Sequence, residues 1–335
     1  MSEQRQLLSD SAARLFESRT DVTWDEIDQV GIADILVSEE HGGSGADWDD
    51  ACAVLQAAGR AQIPLPLAEG MLARKLIVDA AMEVPRSRLS IAANPAGTLS
   101  RDTRAWTFSG ALTSVPWGRD VGHVVTTVLF ENRPHVVVLA VTDASVHRRS
   151  NLADEPRDDL QFANAPVQAA PASCREAQSL FDYAALARTA QIAGALQSAL
   201  ERSIGYALER KQFGRPIGQF QAIQQQLALF GAETAAATCA SRSAAIAAST
   251  RNVSFEIAAA KLRANQAIGI ATATAHQVHG AIGFTREYAL RQATQRLWSW
   301  RSEYGNDRYW SERLGRTVVE RGADRFWEEL VKLSG

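Results

Sequence analysis

YALERKQFGRPIGQFQAIQQQLA, residues 206–228, reads as two helices broken by a turn. Ile204, Leu208 and the stem of Lys211 fall on helical spacing, which predicts a helix running to about Phe213–Gly214. Glycine ends helices at little cost, and Pro216 cannot continue one. A second helix is predicted from about Phe220, with Ile223, Leu227 and Phe230 on one face. The turn then gathers Arg210, Gln212, Phe213 and Arg215 where the helices meet. Guanidinium forks suit phosphate and pyrophosphate oxygens. The same charges suit a plain helix–helix corner facing water, and the turn alone does not choose between these readings.

On the N-terminal side, Leu7, Leu8, Ala12 and Leu15 mark one amphipathic helix, and Trp24, Ile27 and Val30 a second. Gly42, Gly43 and Gly45 break the chain, Asp47 is placed to cap, and Trp48 to Gly59 reads as a helix. These glycines lack the Gly-Lys-Ser/Thr frame of a phosphate loop. From Ile91 to Pro171 helical spacing disappears. Short apolar or alternating runs such as AWTFSGAL, HVVTTVLF and HVVVLAVT alternate with Gly, Pro, Asn and Asp, which predicts a small β domain of barrel or sandwich type. From Cys174 the chain is alanine-rich and helical again, with Val253 to His279 a single long helix, which suits a bundle. The expected division is a helical domain at 1–90, a β domain at 91–172 and a helical bundle at 173–335.

At 335 residues, 46% hydrophobic and 22% charged, the chain can bury a large core. A net charge of −3 gives no reason to expect nucleic acid. The start, MSEQRQLLSD, lacks a signal-peptide apolar core, and the longest apolar runs are strand-length, so no membrane partner and a cytoplasmic location are expected. Cys52, Cys174 and Cys239 show no metal spacing and are expected as reduced, buried thiols. His276 and His279 sit three apart without a third ligand nearby, so no metal site is expected there.

The string Arg-x-x-Phe-Gly-x-Pro-Ile-x-x-Phe-Gln-x-x-Gln from Arg210 resembles the signature of the acyl-CoA dehydrogenase family. QVHGAIGFTREY, Gln277 to Tyr288, is similar to that family's next landmark, at the usual distance downstream. The resemblance is dense from Tyr183 to Arg301, fair in the first ninety residues and poor between them. It implies a mainly α fold with a central β domain: an N-terminal helical domain, a β-barrel middle domain and a C-terminal four-helix bundle. It implies FAD as cofactor, an acyl-CoA substrate, and α,β-dehydrogenation in which a carboxylate takes the α-proton. It also implies a homo- or hetero-tetramer with a related subunit, and an electron-transfer flavoprotein or similar acceptor.

By that resemblance Arg210 contacts the FAD pyrophosphate, Gln212 and Phe213 lie against the cofactor, and Gln221 hydrogen-bonds near it. The loop Gln277, Gly280 and Ala281 runs against the FAD of a neighbouring subunit; the family commonly has Gly where Ala281 stands. The middle domain lacks the family's threonine-rich strand, and Val115–Asp120 stands where flavin-ring contacts are expected, with Trp117 either stacked on a ring or in the core. The family places its base in one of two positions. One falls here on Gln266, an amide that cannot act as a carboxylate. The other falls on Tyr304 with Glu303 beside it, which makes Glu303 the local candidate; the alternative is a surface acid. RLWSWRSEYG, Arg296 to Gly305, resembles a steroid and sterol side-chain-degrading branch that works as two unlike subunits. Trp298 and Trp300 are expected either to line a roomy pocket or to seal the bundle. Two functions are therefore carried: a dehydrogenase subunit, and a non-catalytic partner that completes an active sister chain.

Overall fold

The computed structural model describes residues 3–17, 22–103, 105–251, 253–285 and 287–334. Four helices come first: α1 (Glu3–Glu17), α2 (Trp24–Gln29), α3 (Trp48–Ala61) and α4 (Leu67–Asp79). Their starts follow local chemistry. Thr23 and Glu26 form a reciprocal capping box on α2, and the Asp47 carboxylate accepts from the Asp50 N–H at the start of α3.

Seven strands follow: β1 (Leu89–Ala92), β2 (Pro95–Arg101), β3 (Trp106–Pro116), β4 (His123–Phe130), β5 (Arg133–Ala140), β6 (Ala144–His147) and β7 (Arg157–Pro171). Their order is β1-β4-β5-β7-β3-β2, with β6 also on β7. β7 is the seam. Its first part pairs with β3 and β6, and its last residues, Gln168–Pro171, pair with β5. The sheet therefore folds over, laying β1 on β3 and β2 on β4 around a core of Phe108, Leu112, Val124, Leu139, Leu160 and Phe162. β1 and β4 run parallel, and the other pairs are antiparallel.

The remainder is helical: α5 (Arg175–Gln178), α6 (Leu180–Glu209), α7 (Gln221–Thr250), α8 (Ser254–His279), α9 (Ala289–Ser302), α10 (Asp307–Arg321) and α11 (Ala323–Ser334), with a small hairpin of β8 (Lys211–Gln212) and β9 (Arg215–Pro216) between α6 and α7. The alanine-rich faces of α6, α7 and α8 let backbones approach closely. Ala195, Ala199, Ala237, Ala264, Ala267 and Ala271 fill the seam with Ile192, Leu196, Phe230 and Trp300. Trp300 thus seals the bundle, while Trp298 stays partly exposed beneath the Arg301 guanidinium.

Two expectations need correction. The helix entering the decisive turn ends at Glu209, not near Gly214. Phe213 and Gly214 both adopt positive φ (52° and 80°), the requirement of a tight two-residue hairpin, so Lys211 and Gln212 leave the helix to pair with Pro216 and Arg215. Of the cysteines, only Cys52 is buried; Cys174 is half-buried and Cys239 exposed, because α7 turns that face to water.

Candidate functional site

Two concavities collect the residues singled out from the sequence. The first is a groove of 450 Å³ where the β8–β9 hairpin faces the end of α8. Its walls include Arg210, Gln212 and Phe213 from the hairpin side, and Gln277, His279, Gly280 and Ala281 from the α8 side. Both segments come from the same chain and face one another across this groove. Gln221, the first residue of α7, is exposed and lies outside the lining. The hairpin turn throws the Phe213 ring into solvent at 91% exposure, and the Arg215 guanidinium caps the Phe220 ring at 4.3 Å. Gly280 has φ +63° and open space where a side chain would begin, so its backbone can be approached closely. His279 stacks on Tyr206 and His276 on Phe284, which gives both imidazoles packing roles. The groove thus offers a free guanidinium fork, two amide side chains, exposed backbone and aromatic faces. That set suits a pyrophosphate flanked by planar rings.

The second is a cavity of 610 Å³ between the folded sheet and the bundle. The end of β1 (Ile91, Ala92), the following Asn94, and Thr113, Ser114 and Pro116 of β3 line one side; Ser302–Asn306, the turn between α9 and α10, lines the other. Trp117 is absent from that lining. It adopts φ 52°, backs onto the sheet core and lies under the Arg157 guanidinium at 4.8 Å.

Glu303 is the only carboxylate among the described residues lining this cavity. It is not a loose surface acid. Its carboxylate accepts from Arg157 Nε at 2.8 Å and Asn151 Nδ2 at 3.3 Å, and lies 3.0 Å from the Arg188 guanidinium. Burial by itself pushes this carboxyl up; the two arginines outweigh burial and hold it at about 2. The pairs continue in both directions. Arg188 reaches Glu69 at 2.5 Å, while Arg157 reaches Glu155 at 3.1 Å and Glu155 reaches Arg296 at 2.7 Å. Tyr304 points its hydroxyl at Glu69 (3.3 Å), and burial raises it well above the ordinary phenol. Gln266 is exposed on α8 and is not part of the cavity wall.

Sequence reading missed Arg157, Arg188, Glu69 and Asn151. Each sits in a different element, and no local motif links them. The available signal was a charged residue at an inward position, as with Arg188 amid the apolar run of α6.

Residues 174–317 match the acyl-CoA dehydrogenase C-terminal domain family. Over 264 residues the chain is 30% identical to acyl-CoA dehydrogenase IpdE2 of Mycobacterium tuberculosis, covering 78% of this chain and 76% of that protein. The chain belongs to the acyl-CoA dehydrogenase family. IpdE2 of Mycolicibacterium smegmatis is 25% identical over 313 residues, covering 87% of this chain and 91% of that protein. Among solved structures, the Tcur3481-Tcur3483 steroid ACAD G363A variant superposes with a TM-score of 0.85 at 23% identity, covering 95% and 98% of the two chains. The ChsE4-ChsE5 complex from Mycobacterium tuberculosis gives 0.86 at 21% identity, covering 96% and 99%. These two likenesses establish the acyl-CoA dehydrogenase fold: helices, central sheet, helical bundle. The family consists of FAD-dependent flavoproteins and supports an oxidoreductase. Among the described residues no helix is long and apolar enough to cross a membrane.

Proposed function

We propose that this chain is one subunit of a heteromeric acyl-CoA dehydrogenase that carries out FAD-dependent α,β-dehydrogenation of an acyl-CoA thioester, with the proton-accepting carboxylate supplied by a related partner chain. The observation that carries this reading is the state of Glu303. A carboxyl held at about 2 by two guanidiniums binds a proton poorly near neutral pH, where a general base is most effective when its pKa lies near the working pH. The groove, by contrast, keeps a full donor set.

In this reading Arg210 grips the FAD pyrophosphate, Gln212 and Gln277 hydrogen-bond beside it, and Phe213 packs on the cofactor, with Gly280 and Ala281 presenting backbone. Bound FAD supplies the hydride acceptor. Glu303 contributes a fixed negative charge that neutralises Arg157 in the cavity wall and the fully buried Arg188. The acyl chain is taken to be bulky and steroid-like, supported by the steroid ACAD among the structural relatives and by the volume beside the Ser302–Asn306 turn. The same relatives, which include a complex of two named chains, support a partner of related fold. Electrons would pass to an electron-transfer flavoprotein or similar acceptor.

The test is flavin bleaching by an acyl-CoA in stopped flow, for the chain alone and co-expressed with a related dehydrogenase chain. Bleaching that needs the partner, and that survives Glu303→Gln at near-parental rate, is the expected result. A loss of about 10²–10⁴-fold in Glu303→Gln would return the base to Glu303. Absence of bleaching under both conditions, with flavin bound, would favour the non-catalytic assembly role.

A further inference from the structure

The turn that carries Glu303 into the cavity is held from beneath by a buried lysine. Lys261, on α8, is fully buried. Its Nζ donates to Asn265 Oδ1 at 2.6 Å and to the carbonyls of Trp300, Gly305 and Arg301 at 3.1, 3.2 and 3.3 Å. Trp300 and Arg301 belong to the last turn of α9, where carbonyls have no helical donor and a cation is favoured. Beyond them the backbone takes an uncommon course, with Tyr304 at φ +53° and Gly305 at φ +98°. Two more donors converge on it: Asn265 Nδ2 reaches the Gly305 carbonyl at 3.3 Å, and Trp310 Nε1 reaches those of Tyr304 and Gly305 at 3.1 and 3.2 Å. A left-handed pair of residues persists only where its surroundings over-determine it. Lys261 Nζ reaches both the helix-end carbonyls of Trp300 and Arg301 and the turn carbonyl of Gly305, beside the Glu303 N–H that donates to the Ser299 carbonyl.

We infer that Lys261 is a positioning residue of the cavity: by clamping the carbonyls of Trp300, Arg301 and Gly305 it sets where Glu303, Tyr304 and Asn306 stand in the wall. It touches neither the cavity nor the groove, so it acts only through that backbone. The charged groups facing it are Glu303 on the turn and Asp307 on α10, which favour the ammonium, and Arg188 on α6 and Arg301 on α9, which oppose it. Burial is the largest influence and brings Lys261 down to about 7 from its usual 10.5. Opening the turn returns the amine to water, so the open form binds more protons between pH 7 and 10.5, and raising the pH through that window favours the closed turn. The slope reports burial of the amine; the clamp itself is read from the loss of protection when the amine is removed.

Amide hydrogen exchange over residues 300–306 in the full chain tests this, comparing parent, Lys261→Met and Asn265→Ala between about pH 6 and about pH 9, as protection relative to intrinsic rates. The expected result is protection that rises with pH above 7 in the parent, a loss of about tenfold or more in Lys261→Met with a flat pH profile, and a smaller loss that keeps the slope in Asn265→Ala. Parallel pH profiles for parent and Lys261→Met, or unchanged protection in Lys261→Met, would overturn the assignment. If Lys261→Met does not fold, Lys261→Gln takes its place: protection over residues 300–306 below that of Asn265→Ala supports the clamp, and parental protection removes it. A second arm rests on the proposed dehydrogenase reading. With the partner chain present, Lys261→Met should lower kcat while FAD affinity, set at the separate groove, stays at the parental value. Failure of the parent to turn over acyl-CoA would end that reading and leave the exchange result standing.

Discussion

Arg210 and Glu303 are both charged side chains beside a concavity, and their surroundings give them opposite work. Arg210 is exposed at the helix end of the hairpin, and its fork faces an open groove. Arg210→Ala should weaken FAD binding by about 1.5–3 kcal/mol, roughly one to two decades in affinity, without a change in thermal stability. Fluorescence titration with FAD checks it, and parental affinity in the mutant would remove Arg210 from the cofactor site. Glu303 is already committed to two arginines. Its folded value, about 2, lies below the usual 4.5, so its stabilising contribution is complete above about pH 4.5 and lost as the pH falls toward 2. Glu303→Gln should therefore flatten the acid limb of thermal stability over that range while costing about 3–5 kcal/mol near neutrality, because Arg157 and Arg188 each lose one of two counter-charges. Melting curves of parent and mutant that run parallel from pH 4.5 downward would contradict the ion-pair account.

Among the elements, the crossing of α3 and α6 is the one most sensitive to a single atom. A Cβ on Gly59 would stand 2.1 Å from the Gln191 carbonyl oxygen, and one on Gly194 would stand 1.9 Å from that of Gln56. The two glycines let the helices touch backbone to backbone. This is why a glycine in the interior of each helix is tolerated despite its entropic cost. Gly194→Val should force the helices apart and destabilise the fold by about 1–3 kcal/mol or more, measured by urea unfolding, whereas Gly205→Ala on the same helix meets nothing within 4 Å and should be neutral or stabilising. Equal stability for both variants would show that the crossing relaxes freely. The hairpin between α6 and α7 follows a related logic: its turn depends on φ +80° at Gly214, and a β-branched residue there would misplace Phe213 and loosen the groove.

Across the full chain, the alternating series Glu69, Arg188, Glu303, Arg157, Glu155 and Arg296 ties the N-terminal helices, the sheet and the bundle together. Arg296 extends it by donating to the backbone carbonyl of Gln62, just past α3. Removing a central member leaves like charges facing each other. Arg188→Met should cost about 3–5 kcal/mol at neutral pH, with part of that recovered by adding Glu69→Gln; a double-mutant cycle by urea unfolding measures the coupling. Additive single-mutant effects would mean the charges act independently. The assembly is also a proposal at this level. The Arg210 and Gln277 segments face one groove of this chain, and the resemblance implies a flavin shared between subunits there. Association is also supported by apolar exposure at and beyond the groove, with Leu208 at 65%, Phe213 at 91% and Phe284 at 63%. Sedimentation should give a tetramer or a two-chain assembly, and a stable monomer retaining stoichiometric FAD would oppose it.

The order of helices, sheet and bundle was legible in the chain because each depends on local periodicity: Trp24–Ile27, the strands HVVTTVLF and HVVVLAVT, and the long helix ending at His279 all stand where their spacing predicts. Arg210–Phe213 and Gln277–Ala281, which line one groove, were legible as short contiguous strings, though their residue types alone left the turn's role open between a cofactor site and a plain corner. The exit of the first helix was not, because a left-handed Phe213 leaves no mark in hydrophobic spacing. Nor was the state of Glu303. Its neighbours Arg157, Arg188 and Asn151 lie more than a hundred residues away in sequence, and a carboxyl takes its proton affinity from the charges around it in space. Local strings carry side-chain type and period; only the folded chain brings two arginines against one glutamate and a lysine under the turn that holds it.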